Sequence, residues 1–164
     1  MTAFDKELQS VLNKLGKFRS SFKGKDYMKT LGEAAEPARD ALKAEAPQSK
    51  RVHYIREEGK WLKIRPGNLK RSIQAFQSKN KNARSVMVGP VVSKKSRIKS
   101  VPGIKRMTRR NRAFYWRFVY YGTPKIAPDR FIDRAAGIAK SGVKRELKAG
   151  IEKYAKKEIK GIFR

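Results

Sequence analysis

The order of apolar patterns along this 164-residue chain predicts an α+β fold, with helical periodicity at both ends and a β-branched stretch between them. Three observations carry that expectation. Phe4, Leu8, Val11, Leu12 and Leu15 recur at helical spacing near the start. Residues 84–92, Arg-Ser-Val-Met-Val-Gly-Pro-Val-Val, form the clearest strand. Ile132, Ala136, Ala139, Val143, Leu147, Ile151, Tyr154, Ile159 and Ile162 step by three and four nearly to the end.

The first helix is expected to end near Gly16, and residues 1–25 as a whole to make a helical extension of a single domain. A second helix is expected from Asp26, a plausible N-cap. Tyr27, Leu31, Ala34, Ala35, Ala38 and Leu42 continue one face, and Ala46-Pro47 stops it. Pro37 should kink or split this helix, because proline lacks the N–H that an interior position needs. Residues 48–67 read as an irregular loop with one short strand, since Val52, Tyr54, Trp61, Leu62 and Ile64 are scattered among charges.

Pro66-Gly67 signals a turn, after which Leu69, Ile73 and Phe76 fit one face of a short helix or the start of a strand. Gly89-Pro90 should break or bulge the strand that contains it. The aromatic run at 113–121 fits a strand or a short helix, buried in either case, and ends at Gly122. Ala127-Pro128-Asp129 opens the final helix, 128–164. Its lysines late in the sequence suit the negative end of the helix dipole, and Gly142, Gly150 and Gly161 weaken it by about 1 kcal/mol each.

Charge sets the functional expectation. Lys and Arg number 42 against 14 Asp and Glu, a formal net charge of +28, far more than solubility requires. A polyanion is the expected partner, because neutralising phosphates releases condensed counterions whatever the base sequence. The charge peaks at 93–112, where Lys94, Lys95, Arg97, Lys99, Lys105, Arg106, Arg109, Arg110 and Arg112 occur without one acidic residue. Such a block cannot pack on itself and reads as a basic loop or hairpin about Pro102-Gly103 that contacts duplex phosphates without reading bases. Trp61, Trp116 and the tyrosines near Trp116 read as core or interface anchors, not stacking platforms.

Catalytic chemistry finds little material. Cysteine is absent and His53 is the sole histidine, which removes thiolate and multi-histidine metal sites and cysteine nucleophiles. Neighbouring Glu57 and Glu58 point apart, while Asp129 and Asp133 sit where helix-start acids belong. His53 reads as solvated or phosphate-adjacent, and Gly122-Thr123-Pro124-Lys125 lacks the spacing of a phosphate loop. Neither enzyme activity nor a cofactor is expected. No membrane contact is expected either: Asp5, Lys6 and Glu7 interrupt the N-terminus, and no window approaches the ~20 apolar residues of a span.

Five segments stand in a recognisable order: Ala46-Pro47, Gly67-Asn-Leu-Lys-Arg-Ser-Ile73, Val86-Met-Val-Gly89, Tyr115-Trp-Arg-Phe-Val-Tyr-Tyr-Gly-Thr123 and Ala127-Pro-Asp-Arg-Phe-Ile-Asp-Arg-Ala135, followed by a long helix. Over residues 30–160 this order resembles the tail-completion or head-tail joining family of tailed bacteriophages. Two departures stand out: Tyr120 occupies a place where that family usually has glutamate, and Gln48-Ser49 leads into an insertion. The resemblance implies helices packed on an antiparallel sheet, in a subunit of the virion neck assembled in the host cytoplasm. It implies a ring of copies, hexameric by that analogy, between tail-tube and head-connector proteins and around the genomic DNA. Gly67 and Gly122 read as backbone turns, Leu69, Phe118 and Phe131 as core and Pro128 as the helix start, while Ile73, Gly89 and Thr123 are further structural positions of the motifs. The alternative expectation is a free, sequence-independent nucleic-acid-binding protein.

Overall fold

The computed structural model describes residues 3–22, 24–57, 59–78, 85–92 and 113–162. Its fold is α+β: helices at both ends of the chain enclose two small antiparallel sheets, and a long C-terminal helix packs along the N-terminal helices.

Helix α1, Ala3–Ser21, runs past Gly16, where the sequence suggested an end. Packing explains the extension. Phe18 and Phe22 join Tyr27 and Tyr154 in an aromatic cluster with centroids 5.1–5.6 Å apart, and this outweighs the helical cost of one glycine. Helix α2, Lys25–Ala34, begins after Gly24 and not at Asp26, whose carboxylate lies in the first turn, 3.1 Å from Lys157 Nζ. Helix α3, Glu36–Glu45, carries Pro37 in its opening turn, where the missing N–H costs nothing. The split falls at Ala35, and Ala46 turns extended ahead of Pro47 to close α3.

Residues 53–57 and 60–64 are not irregular. Strands β1, His53–Glu57, and β2, Lys60–Ile64, form a hairpin in which Glu57 pairs with Lys60 and Gly59 supplies a φ of 77°. The segment after Gly67 satisfies both readings of it, because helix α4, Asn68–Ser72, passes directly into strand β3, Ile73–Gln77. Strand β4, Val86–Pro90, pairs antiparallel with β3. Gly89 lies opposite Gln74 and Pro90 opposite Ile73, so neither interrupts the ladder. The antiparallel sheet is thus two separate two-stranded units, β1–β2 and β3–β4.

Helix α5, Trp116–Tyr121, resolves the aromatic run as helical. It is not buried: Phe118 and Tyr121 lie more than half in solvent. Helix α6, Phe131–Ile162, starts three residues after Pro128. Its buried face is Phe131, Ala135, Ala139 and Tyr154, one position off the expected stripe at the start, and Ile138 points outward. The small residues let other helices come close. A Cβ on Gly142 would sit 3.2 Å from Pro37 Cβ, and one on Gly150 only 2.8 Å from Thr30 Cγ2.

The core sits where α3, α4, β3 and α6 converge. Phe131 and Ile73 are fully enclosed there with Leu42, Ala46, Leu69, Ala113 and Ala135, and Val88, Trp116, Val119 and Tyr120 pack around them. Ala35 and Ala75, with Val86 and Val88, extend it across the face of β3–β4.

Candidate functional site

The inner side of the β1–β2 hairpin does not close onto the body. Between it and α4–α5 lies an open, mainly apolar cavity of about 520 Å³, lined among others by Tyr54, Ile55, Ile64, Leu69, Phe118 and Ile126. The α4 turn positions its floor. Gly67, at φ 69°, lets the chain reverse into α4, which buries Asn68, Leu69 and Ser72. Asn68 Nδ2 donates to Tyr115 Oη at 3.3 Å. Burial raises the Tyr115 pKa above the ordinary phenol value, opposed in part by that hydrogen bond and by Arg71, so the ring stands neutral at the cavity wall.

The outer wall turns on Gly122, at φ 78°. A Cβ there would lie 2.8 Å from Ile126 O and 2.9 Å from Pro128 N, so the position is closed to larger residues. Thr123 and Ile126 exchange backbone hydrogen bonds at 2.8 and 3.0 Å, tightening the turn that presents Ile126 to the cavity. Tyr120 occupies the core side. Its hydroxyl donates to Asp133 at 2.8 Å and its ring packs against Phe131 at 6.2 Å, with the Arg130 guanidinium 4.9 Å from its centroid. Arg134 joins α6 to the end of α3 and to the segment before α6, 2.7 Å from Glu45 and 2.8 Å from Asp129. These bonds, Glu45 foremost, raise its pKa.

Of the residues singled out in the sequence, Leu69, Ile73 and Phe131 are core, whereas Phe118 is 55 % exposed and lies on the cavity. Gly67 and Gly122 adopt the left-handed backbone of their turns, Gly89 is a ladder residue, and Pro128 precedes α6 without starting it. Trp61 is not a core anchor, being 68 % exposed. His53 is exposed, with a ring nitrogen 2.6 Å from Ser49 Oγ. The nine cations from Lys94 to Arg112 lie outside the described residues. The points where that stretch departs and returns are described: Ala113 N donates to Val91 O at 3.0 Å, and Val91 N to Ser72 O at 2.9 Å. Val91 and Ala113, on either side of that stretch, thus meet beside β4.

A second basic feature is described in full. Lys140, Lys144, Lys148, Lys156 and Lys160 follow one four-residue row of α6 that Glu152 interrupts and that winds about 200° round the helix; all five are exposed and none is in an ion pair among the described residues. The row runs about 30 Å at 1.5 Å per residue. Among the described residues no three His, Asp or Glu side chains are grouped to hold a metal, and no described helix is long and apolar enough to cross a membrane.

The cavity is thus an apolar opening with Phe118 exposed on its lining, and the lysines of α6 form a separate cationic surface. No family model, characterised protein or solved structure matches the chain.

Proposed function

We propose that the protein is a structural subunit that assembles through its apolar opening and rests its cationic surfaces on DNA, as a tail-completion or head-tail joining protein of a tailed phage would. The observation that carries this reading is the cavity rim. Phe118 and Ile126 are each half or more exposed around an apolar opening, an arrangement expected of a surface that a partner covers. The order of five sequence segments supplies the phage assignment, and the net charge of +28 supplies the DNA.

Closed assembly with copies of itself in a ring, against tail-tube and head-connector proteins, is the arrangement this reading entails. Mass measurement and negative-stain imaging of the purified chain, alone and with tail tubes, test it. Rings or tube-end caps are expected, and Phe118→Asp should abolish them without unfolding the chain, since Phe118 is exposed. A lone subunit under every condition overturns the assembly reading in favour of a free nucleic-acid-binding protein. Neutralising Arg106, Arg109, Arg110 and Arg112 should lower the salt slope of duplex binding by up to about 4, roughly one for each phosphate no longer neutralised. An unchanged slope removes the basic block from the DNA surface.

A further inference from the structure

The β1–β2 hairpin has a second face. In an antiparallel pair, directly opposed residues project to the same side and alternate along each strand. Tyr54 lies opposite Lys63 and Arg56 opposite Trp61, so these four share the outward face, while Ile55, Leu62 and Ile64 share the inward one. Exposure agrees: Tyr54 is 61 % and Trp61 68 % in solvent, Arg56 and Lys63 are exposed, and the three inward aliphatics are half-buried. Ring and cation therefore alternate both along and across the strands. Opposed Cβ atoms stand about 5 Å apart and the Tyr54–Trp61 diagonal about 7–8 Å. Among the described residues neither ring packs on another ring.

We propose that this outward face binds single-stranded nucleic acid, with Trp61 and Tyr54 each stacking a base and Arg56 and Lys63 holding the phosphates between. Charge complementarity selects the occupant. The two cations on the face are flanked by exposed Lys50, Arg51 and Arg65, so this face repels another cationic surface and attracts a polyanion. A duplex offers phosphates but keeps its bases stacked inside, leaving both rings uncovered. A single strand offers phosphates and open π-faces together, and stacking tolerates any base. The inference goes beyond the assembly reading and does not depend on it, because it concerns the isolated chain.

The experiment is equilibrium binding of the purified full chain to a short labelled oligothymidylate and to a duplex of equal length, with oligomeric state measured in parallel. Trp61→Ala and Tyr54→Ala should each weaken oligothymidylate binding about tenfold, in line with the known effect of removing one stacked base, and leave duplex binding unchanged. Trp61→Phe, which keeps a ring, should restore affinity to within a few fold while removing most of the tryptophan quenching that accompanies binding, Trp116 remaining as internal reference. Thermal unfolding matched to the parent verifies that the exposed substitutions leave the fold intact. Equal losses on single strand and duplex overturn the stacking proposal. So does unaltered oligothymidylate binding in both alanine variants. Loss of assembly in Trp61→Ala with nucleic-acid binding intact makes the face a protein interface instead. Failure of the parent to form rings, with stacking intact, refutes only the assembly reading.

Discussion

Replacing Gly150 with alanine sets two opposed effects of similar size against each other. An alanine in a helix interior gains about 1 kcal/mol over glycine. The new Cβ, however, would lie 2.8 Å from Thr30 Cγ2, against 3.5–4.0 Å for an ordinary carbon contact. Thr30 resists moving aside, because its β-branched side chain is stiff at χ1 and its hydroxyl donates to Asp26 O at 3.1 Å. Overpacking of this kind costs about 1–3 kcal/mol, so Gly150→Ala should destabilise by roughly 1 kcal/mol net. Gly137, with nothing within 4 Å of its would-be Cβ, should instead stabilise by about 1 kcal/mol when changed to alanine. Gly142→Ala, 3.2 Å from Pro37 Cβ, should fall between them. Thr30→Ser removes the offending methyl and keeps the hydroxyl. In that background Gly150→Ala should recover its helical gain, a coupling of about 1–2 kcal/mol. Thermal unfolding followed by circular dichroism resolves this, each kcal/mol moving Tm by about 2–4 °C in a chain of this size. If Gly150→Ala stabilises as much as Gly137→Ala and shows no coupling to Thr30, α2 and α6 do not meet as described.

Phe131→Ala should cost about 3–5 kcal/mol by urea denaturation, since the ring is wholly enclosed at the centre of the core, and a loss below about 1 kcal/mol would displace that centre. Tyr115 gives a pH signature. Its folded pKa is raised above the unfolded value, so its contribution is level below about pH 10 and is lost as pH climbs through the folded value. Tyr115→Phe should flatten that alkaline fall in the urea midpoint, and an identical fall in the variant would assign it elsewhere.

Much of the fold was legible in the sequence where a residue type has one dominant backbone consequence. Pro37 announced the division between α2 and α3, Ala46-Pro47 the end of α3, and Gly122 a turn. Legibility failed where neighbours in space decided. Gly16 marked an end that the Phe18–Phe22–Tyr154 cluster overrode. The β1–β2 alternation was masked because its outward positions hold Tyr54 and Trp61, which read as apolar although they face water. A dense aromatic run implied burial, but composition cannot say which side of α5 meets the core, and Phe118 took the other side. On α6 the expected stripe opened on Ile132 and Ala136, whereas Phe131 and Ala135 are the buried pair; Ala139 and Tyr154 are buried as expected, and Ala136 and Ile159 are exposed. The candidate site was least legible, because the cavity is made by residues from several segments far apart in the chain.

Helix α6 spans about 48 Å at 1.5 Å per residue. Arg134 and the Phe131 packing fasten it at one end. Near the other, Tyr154 grips α1 through Ser21 O at 2.7 Å, and Lys157 grips α2. Helix α1 has no other substantial neighbour among the described elements. Weakening the Tyr154 contacts would therefore loosen α1 while the Phe131 core, at the far end of α6, keeps its packing.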